Sequence, residues 1–222
     1  MFDQFFLFYV TYLIPSTALI PLYIGFKGYS RLSKPSIIIF WFVFVSAVLN
    51  VCNMILMEFL PNTQFMLHGG AIIEFAMLSA FFACFFSKKY QVVIAVVAVL
   101  YGISCVVNGF YIQGLEAFNT YTRTLESLII IIYFICFQNK QSAKITNKWA
   151  DDSNNWLSVG ILLYYASSTL MFAFANYLLK IPLFIYKLIW MVHCAFLAIE
   201  YILFAVGYTK ELKASNKPTE LP

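Results

Sequence analysis

Seven runs of about twenty mostly apolar residues, separated by short polar breaks, constrain this chain more than any other feature. They cover 5–26, 36–59, 70–87, 91–112, 121–138, 157–179 and 183–208. Each is long enough to cross a bilayer as a helix, and only helices and closed barrels satisfy the backbone there. The expected fold is therefore all-α, a single polytopic membrane domain over 1–222 with a seven-transmembrane-helix bundle. Composition agrees: 62% of residues are hydrophobic and only 11% charged, too little charge to cover a soluble surface. The first apolar run begins almost at Met1 with no basic flank and no small-residue cleavage site, so no cleavable signal peptide is expected.

The breaks have local causes. KGYSRLSKP (27–35) is basic and ends in proline, Pro61-Asn62-Thr63 is a turn cluster, and Lys180-Ile181-Pro182 closes the sixth run. With the N-terminus outside, the inner segments hold Lys27, Arg31, Lys34, Lys88, Lys89, Lys140, Lys144, Lys148, Lys210, Lys213 and Lys217, which is 11 of the 14 basic residues. Arg123, Lys180 and Lys187 remain outside. By the positive-inside rule the N-terminus is out and the C-terminus in, and an even number of spans would spoil the asymmetry. The expected location is the cell inner (cytoplasmic) membrane. The net charge of +4 is accounted for by topology, so no nucleic-acid partner is implied.

Several function classes lose ground on residue grounds. A retinal protein needs a lysine deep in the last helix, and Lys187 sits near that helix's start. The paired-triplet sugar transporters carry matching prolines, whereas Pro15 and Pro21 in the first run have no counterpart in the fifth. Cys52, Cys84, Cys105, Cys136 and Cys194 lie singly within apolar runs, which suits packing rather than disulfides or zinc. No HExxH or GxSxG motif is present, so no catalytic residue, metal or cofactor is assigned.

Ionisable groups in hydrocarbon are costly and usually face the bundle interior. Glu74, Glu126 and His193 all fall in the outer half of their spans, while Glu200 falls in the inner half of the seventh. Uncharged polar residues form helical stripes: Ser46, Asn50 and Asn53; Tyr101, Ser104, Asn108 and Tyr111; Tyr165, Ser168 or Thr169, Phe172 and Asn176; and Trp190, His193, Leu197 and Glu200. The ligand-binding candidates are Glu74, Glu126, His193, Asn50, Asn53, Asn108 and Asn176, sharing one polar pocket in the outer half. Each Asn taken singly could instead hold helices together by hydrogen bonding.

Three stretches, HGGAIIEF (68–75), TLESLIIIIYF (124–134) and IWMVHCAFLAIEYILFAVGY (189–208), resemble an uncharacterised family of small seven-helix membrane proteins common in Bacteroidota. The resemblance implies the architecture and no activity. It also implies that Asn often stands where this chain has Glu200, which argues against a general role for that residue.

The sequence thus suggests a receptor-like or ligand-binding membrane protein. Its ligand would be a small molecule or lipid-like, entering from the outer side. The rivals are a transporter or channel using intramembrane glutamates, a lipid-modifying membrane enzyme, and a structural subunit of a membrane complex. Membrane lipids are expected partners. The basic segment 138–155 is a candidate contact for a membrane or cytoplasmic protein.

The orientation is directly testable. A single cysteine at Gly114 should react with an impermeant thiol reagent from outside intact cells, and one at Lys213 only after the cytoplasmic side is opened. Labelling of Gly114 from the cytoplasmic side alone would reverse the topology.

Overall fold

The computed structural model describes residues 1–142 and 149–216, with the side chains of Ser142 and Asn176 left aside. Lys144, Lys148 and Lys217, and the middle of the 138–155 segment, lie outside the described residues. Among the described residues the fold is all-helical, with seven helices long and apolar enough to cross a membrane. We number them α1 (Phe2–Arg31), α2 (Lys34–Met57), α3 (Gln64–Ala83), α4 (Lys88–Ile112), α5 (Thr120–Ser142), α6 (Ser153–Ala173) and α7 (Leu183–Ser215). This is the architecture of a multi-pass membrane protein.

The bounds differ from the apolar runs for physical reasons. Helix α3 starts at Gln64, directly after the Pro61-Asn62-Thr63 turn, and runs unbroken through Gly69 and Gly70. Helix α6 ends at Ala173, followed by one further turn, Ala175–Leu178. Helix α7 runs past its apolar stretch to Ser215, where Glu211 reaches α2 and accepts from Ser33 N–H and the Ser36 hydroxyl. That carboxylate satisfies a donor that a helix start otherwise leaves free. Helix α1 carries a π-helical turn at Tyr9–Leu13, just before Pro15. The proline has no N–H and crowds the carbonyl four residues back, Thr11, and the wider turn relieves both.

The helices close into a ring. Helix α7 packs on α6 and α1, α6 on α5, α5 on α3, α3 on α2, and α2 on the second half of α1. Helix α4 stays outside this ring, packed mainly on α3. Its Val92, Val96, Val99, Ile103 and Val106 are exposed at helical spacing, as suits a lipid-facing side. Asp3 pairs with Lys187 at 2.7 Å, and Arg31 donates to Asn216 at 2.7 Å. Helices α1 and α7 are therefore parallel and joined at both ends, which the odd helix count requires.

Helices α6 and α7 come close enough for glycine on one to meet backbone on the other. A Cβ on Gly207 would sit 2.9 Å from Leu157 Cδ2 and 3.1 Å from the Ser153 carbonyl oxygen. One on Gly160 would sit 3.2 Å from the Glu200 carbonyl oxygen. Small residues here let the two backbones approach. The core below is aromatic: Phe75, Phe81, Phe82, Phe137 and Phe204 are fully buried.

This contact predicts a contrast between two glycines. Gly207→Val should destabilise by about 1–3 kcal/mol through overpacking. Gly69→Ala, where an added Cβ meets nothing within 4 Å, should be neutral or stabilising. Thermal denaturation in detergent reads both.

Candidate functional site

The ring encloses a cavity of about 470 Å³ in the half that holds the N-terminus. Six helices line it, and α4 does not. From α1 come Val10, Thr11, Ile14 and Pro15; from α2, Ser46, Asn50, Asn53, Met54 and Met57. Helix α3 gives Gln64, Leu67 and Glu74, and the start of α5 with its preceding loop gives Phe118, Asn119 and Arg123. Helix α6 presents Tyr164, Tyr165 and Phe172. The floor and back wall belong to α7, through Trp190, His193, Leu197, Glu200 and Tyr201.

The charged centre is Arg123. Its Nη1 lies 2.5 Å from Glu74 Oε2 and 3.1 Å from Glu126 Oε2. Glu74 comes from α3 and Glu126 from one turn further along α5, so the guanidinium ties two helices together. Glu126 is fully buried and also accepts from the hydroxyls of Tyr101 and Tyr165, each at 3.3 Å. Every strong demand of that carboxylate is met by protein, the condition for burying a charge. Tyr101 belongs to α4 and Tyr165 to α6, so three helices meet at Glu126, and α3 joins them through Arg123.

His193 occupies the opposite wall. Its Nδ1 lies 3.0 Å from the Ser167 hydroxyl, and its ring stacks on Tyr164 with centroids 5.3 Å apart. Phe172 and Trp190 approach it edge-on at 6.0 and 5.8 Å. Its orientation is thus fixed by one hydrogen bond and three rings.

The candidate residues divide. Glu74, His193, Asn50 and Asn53 line the cavity together. Glu126 stands behind Arg123 and does not reach the lining. Asn108 is buried away from the cavity, donating to Gln113 at 2.9 Å and Asn119 at 3.3 Å. It holds the loop after α4 against the start of α5, because the π-helical turn Asn108–Ile112 changes the helical period there. The same turn leaves Tyr111 84% exposed, so the α4 stripe is not one face. Asn176 lies in the turn Ala175–Leu178, and its side chain is outside the described set.

Sequence reasoning missed two features. The positive-inside count treats Arg123 only as a topological charge, although Glu126 three residues on is a visible pairing signal. Glu200 was placed apart, in the inner half, yet it lines the deep end of this cavity. It is fully buried, and neither carboxyl oxygen has a hydrogen-bond partner among the described residues.

The mouth lies along α2. Asn50 is exposed while lining the cavity, and Met57 is 64% exposed. Residues Tyr9–Ser16 of α1 pack on α7, while Leu19–Gly28 pack on both α7 and α2. The cavity therefore opens sideways between α2 and the first half of α1. Among the described residues no three His, Cys, Asp or Glu side chains gather as a metal site. The chain matches no protein-family model, no curated protein and no solved structure.

Proposed function

We propose that this chain is a receptor-like, ligand-binding protein of the cytoplasmic membrane, with its N-terminus outside. It takes a small-molecule or lipid-like ligand into the cavity from the outer side or outer leaflet. Membership in the seven-helix Bacteroidota family that the three stretches resemble is part of the same proposal and adds no activity.

One observation carries the reading. Polar groups from separate helices, Asn50, Glu74, Arg123 and His193, converge on one cavity of about 470 Å³ whose other walls are aromatic and aliphatic. That volume and that mixture suit a small-molecule site, where a few fixed polar groups set orientation and apolar walls supply affinity. In this reading Glu74, His193, Asn50 and Asn53 touch the ligand. Glu126 positions Arg123, and Asn108 shapes the rim. The sideways mouth between α1 and α2 favours a ligand that travels in the bilayer. A transporter is the second reading, favoured by the unpartnered Glu200 on the cavity floor. Flux in proteoliposomes separates the two.

The binding test is a thermal shift. At a ligand concentration a hundredfold above Kd, binding stabilises by about 2.7 kcal/mol, or about 5–10 °C in a chain of this size. Membrane lipid extract should raise the midpoint of the purified wild type on that scale. Glu74→Gln and His193→Phe should each shrink the response while the protein stays monodisperse. A full response in the double variant would overturn the site.

A further inference from the structure

The unpartnered atoms in the cavity wall are mostly hydrogen-bond acceptors. Among the described residues they are both carboxyl oxygens of Glu200, Asn53 Oδ1, Gln64 Oε1 and the Ser46 hydroxyl oxygen. Among these buried atoms Asn119 Nδ2 can only donate, and the Ser46 hydroxyl can donate as well as accept. A buried acceptor left without a donor is costly, and a carboxyl most of all. The missing complement is therefore a donor, and beside a carboxylate a cationic donor is the strongest.

The charge balance points the same way. Arg123 is the single Lys or Arg of the lining, and Glu74 and Glu126 already hold it. An anionic ligand would add a third negative charge beside a guanidinium that two carboxylates already balance. At the deep end Glu200 has no hydrogen-bond partner among the described residues and is left for a cation. Tyr201 and Leu197 lie beside it on α7, and Phe42 faces the same floor from α2. Above the floor, the rings of Tyr164, Phe172 and Trp190 give an apolar or cation-tolerant wall.

Resting on the ligand-binding reading above, we propose that the ligand is an amine, and that Glu200 anchors its ammonium group at the cavity floor. The amine's remaining N–H bonds go to neighbouring acceptors of the lining, and its alkyl portion lies toward the mouth between α1 and α2. A long-chain amine would arrive through the bilayer. A short amine or polyamine would arrive from the outer solution. Both satisfy Glu200 by the same chemistry.

Four probes in phosphatidylcholine nanodiscs decide the matter: dodecylamine, butylamine, dodecanol and dodecanoate. The readout is the concentration giving half-maximal thermal stabilisation. Dodecylamine should stabilise the wild type at least about tenfold more potently than dodecanol or dodecanoate, a comparison that needs no variant. Glu200→Gln should remove that preference, raising the dodecylamine concentration needed by about tenfold or more. Glu200-dependent stabilisation by butylamine at similar concentrations would support the ammonium anchor with an aqueous source. Activity of dodecylamine alone would support it with a membrane source. Equal potency of dodecanol or dodecanoate, unchanged in Glu200→Gln, would overturn the amine while leaving the cavity as a binding site. If no probe acts on the wild type, the amine is also overturned. The lipid-extract response then shows whether the cavity binds some other ligand or none.

Discussion

A guanidinium between two carboxylates, drawn from separate helices and set inside an apolar bundle, is the interaction on which this structure turns. Arg123 meets Glu74 across the α3–α5 contact and Glu126 along α5 itself. Glu126 then gathers hydroxyls from α4 and α6. In hydrocarbon such groups have no solvent to fall back on, so each must find its partner in the protein. The ring of helices closes around that requirement. Helix α4, which lies outside the ring, is still held to it through Tyr101.

The cavity follows from the same arrangement. Because Arg123 is drawn toward α3, it fills one side of the bundle and leaves the space between it and α7 open. His193 is held back against α6 by Ser167 and Tyr164. The first half of α1 packs on α7, and this keeps the α2 edge free. At the other end of the bundle Gly160 and Gly207 bring α6 and α7 together, and the phenylalanine core is filled. One half of the protein is thus close-packed and the other is hollow, and the polar groups lie at the hollow end.

Much of this was legible in the residues. The seven apolar runs gave the seven helices, since nothing else of that length satisfies a backbone in a membrane. The Ser46–Asn50–Asn53 and Trp190–His193–Leu197–Glu200 stripes became two cavity walls, because α2 and α7 keep regular helical period over those residues. The α4 stripe failed where a π-helical turn at Asn108–Ile112 altered the period, a feature with no proline or glycine pair to announce it. Depth along a span located Glu74 and His193, but it could not show that Glu126 points behind Arg123. Depth set Glu200 apart in the inner half, but it could not show that the cavity reaches down to that residue.

The keystone role of Arg123 is tested most directly by a double-mutant cycle with Glu126. Removing one partner of a buried pair leaves an uncompensated charge and costs about 3–5 kcal/mol. Arg123→Gln should therefore destabilise strongly, and adding Glu126→Gln should restore a large part of the loss, giving a coupling energy of a few kcal/mol. Penalties that simply add would show that Arg123 and Glu126 act independently, and would contradict the account of how this bundle holds its cavity.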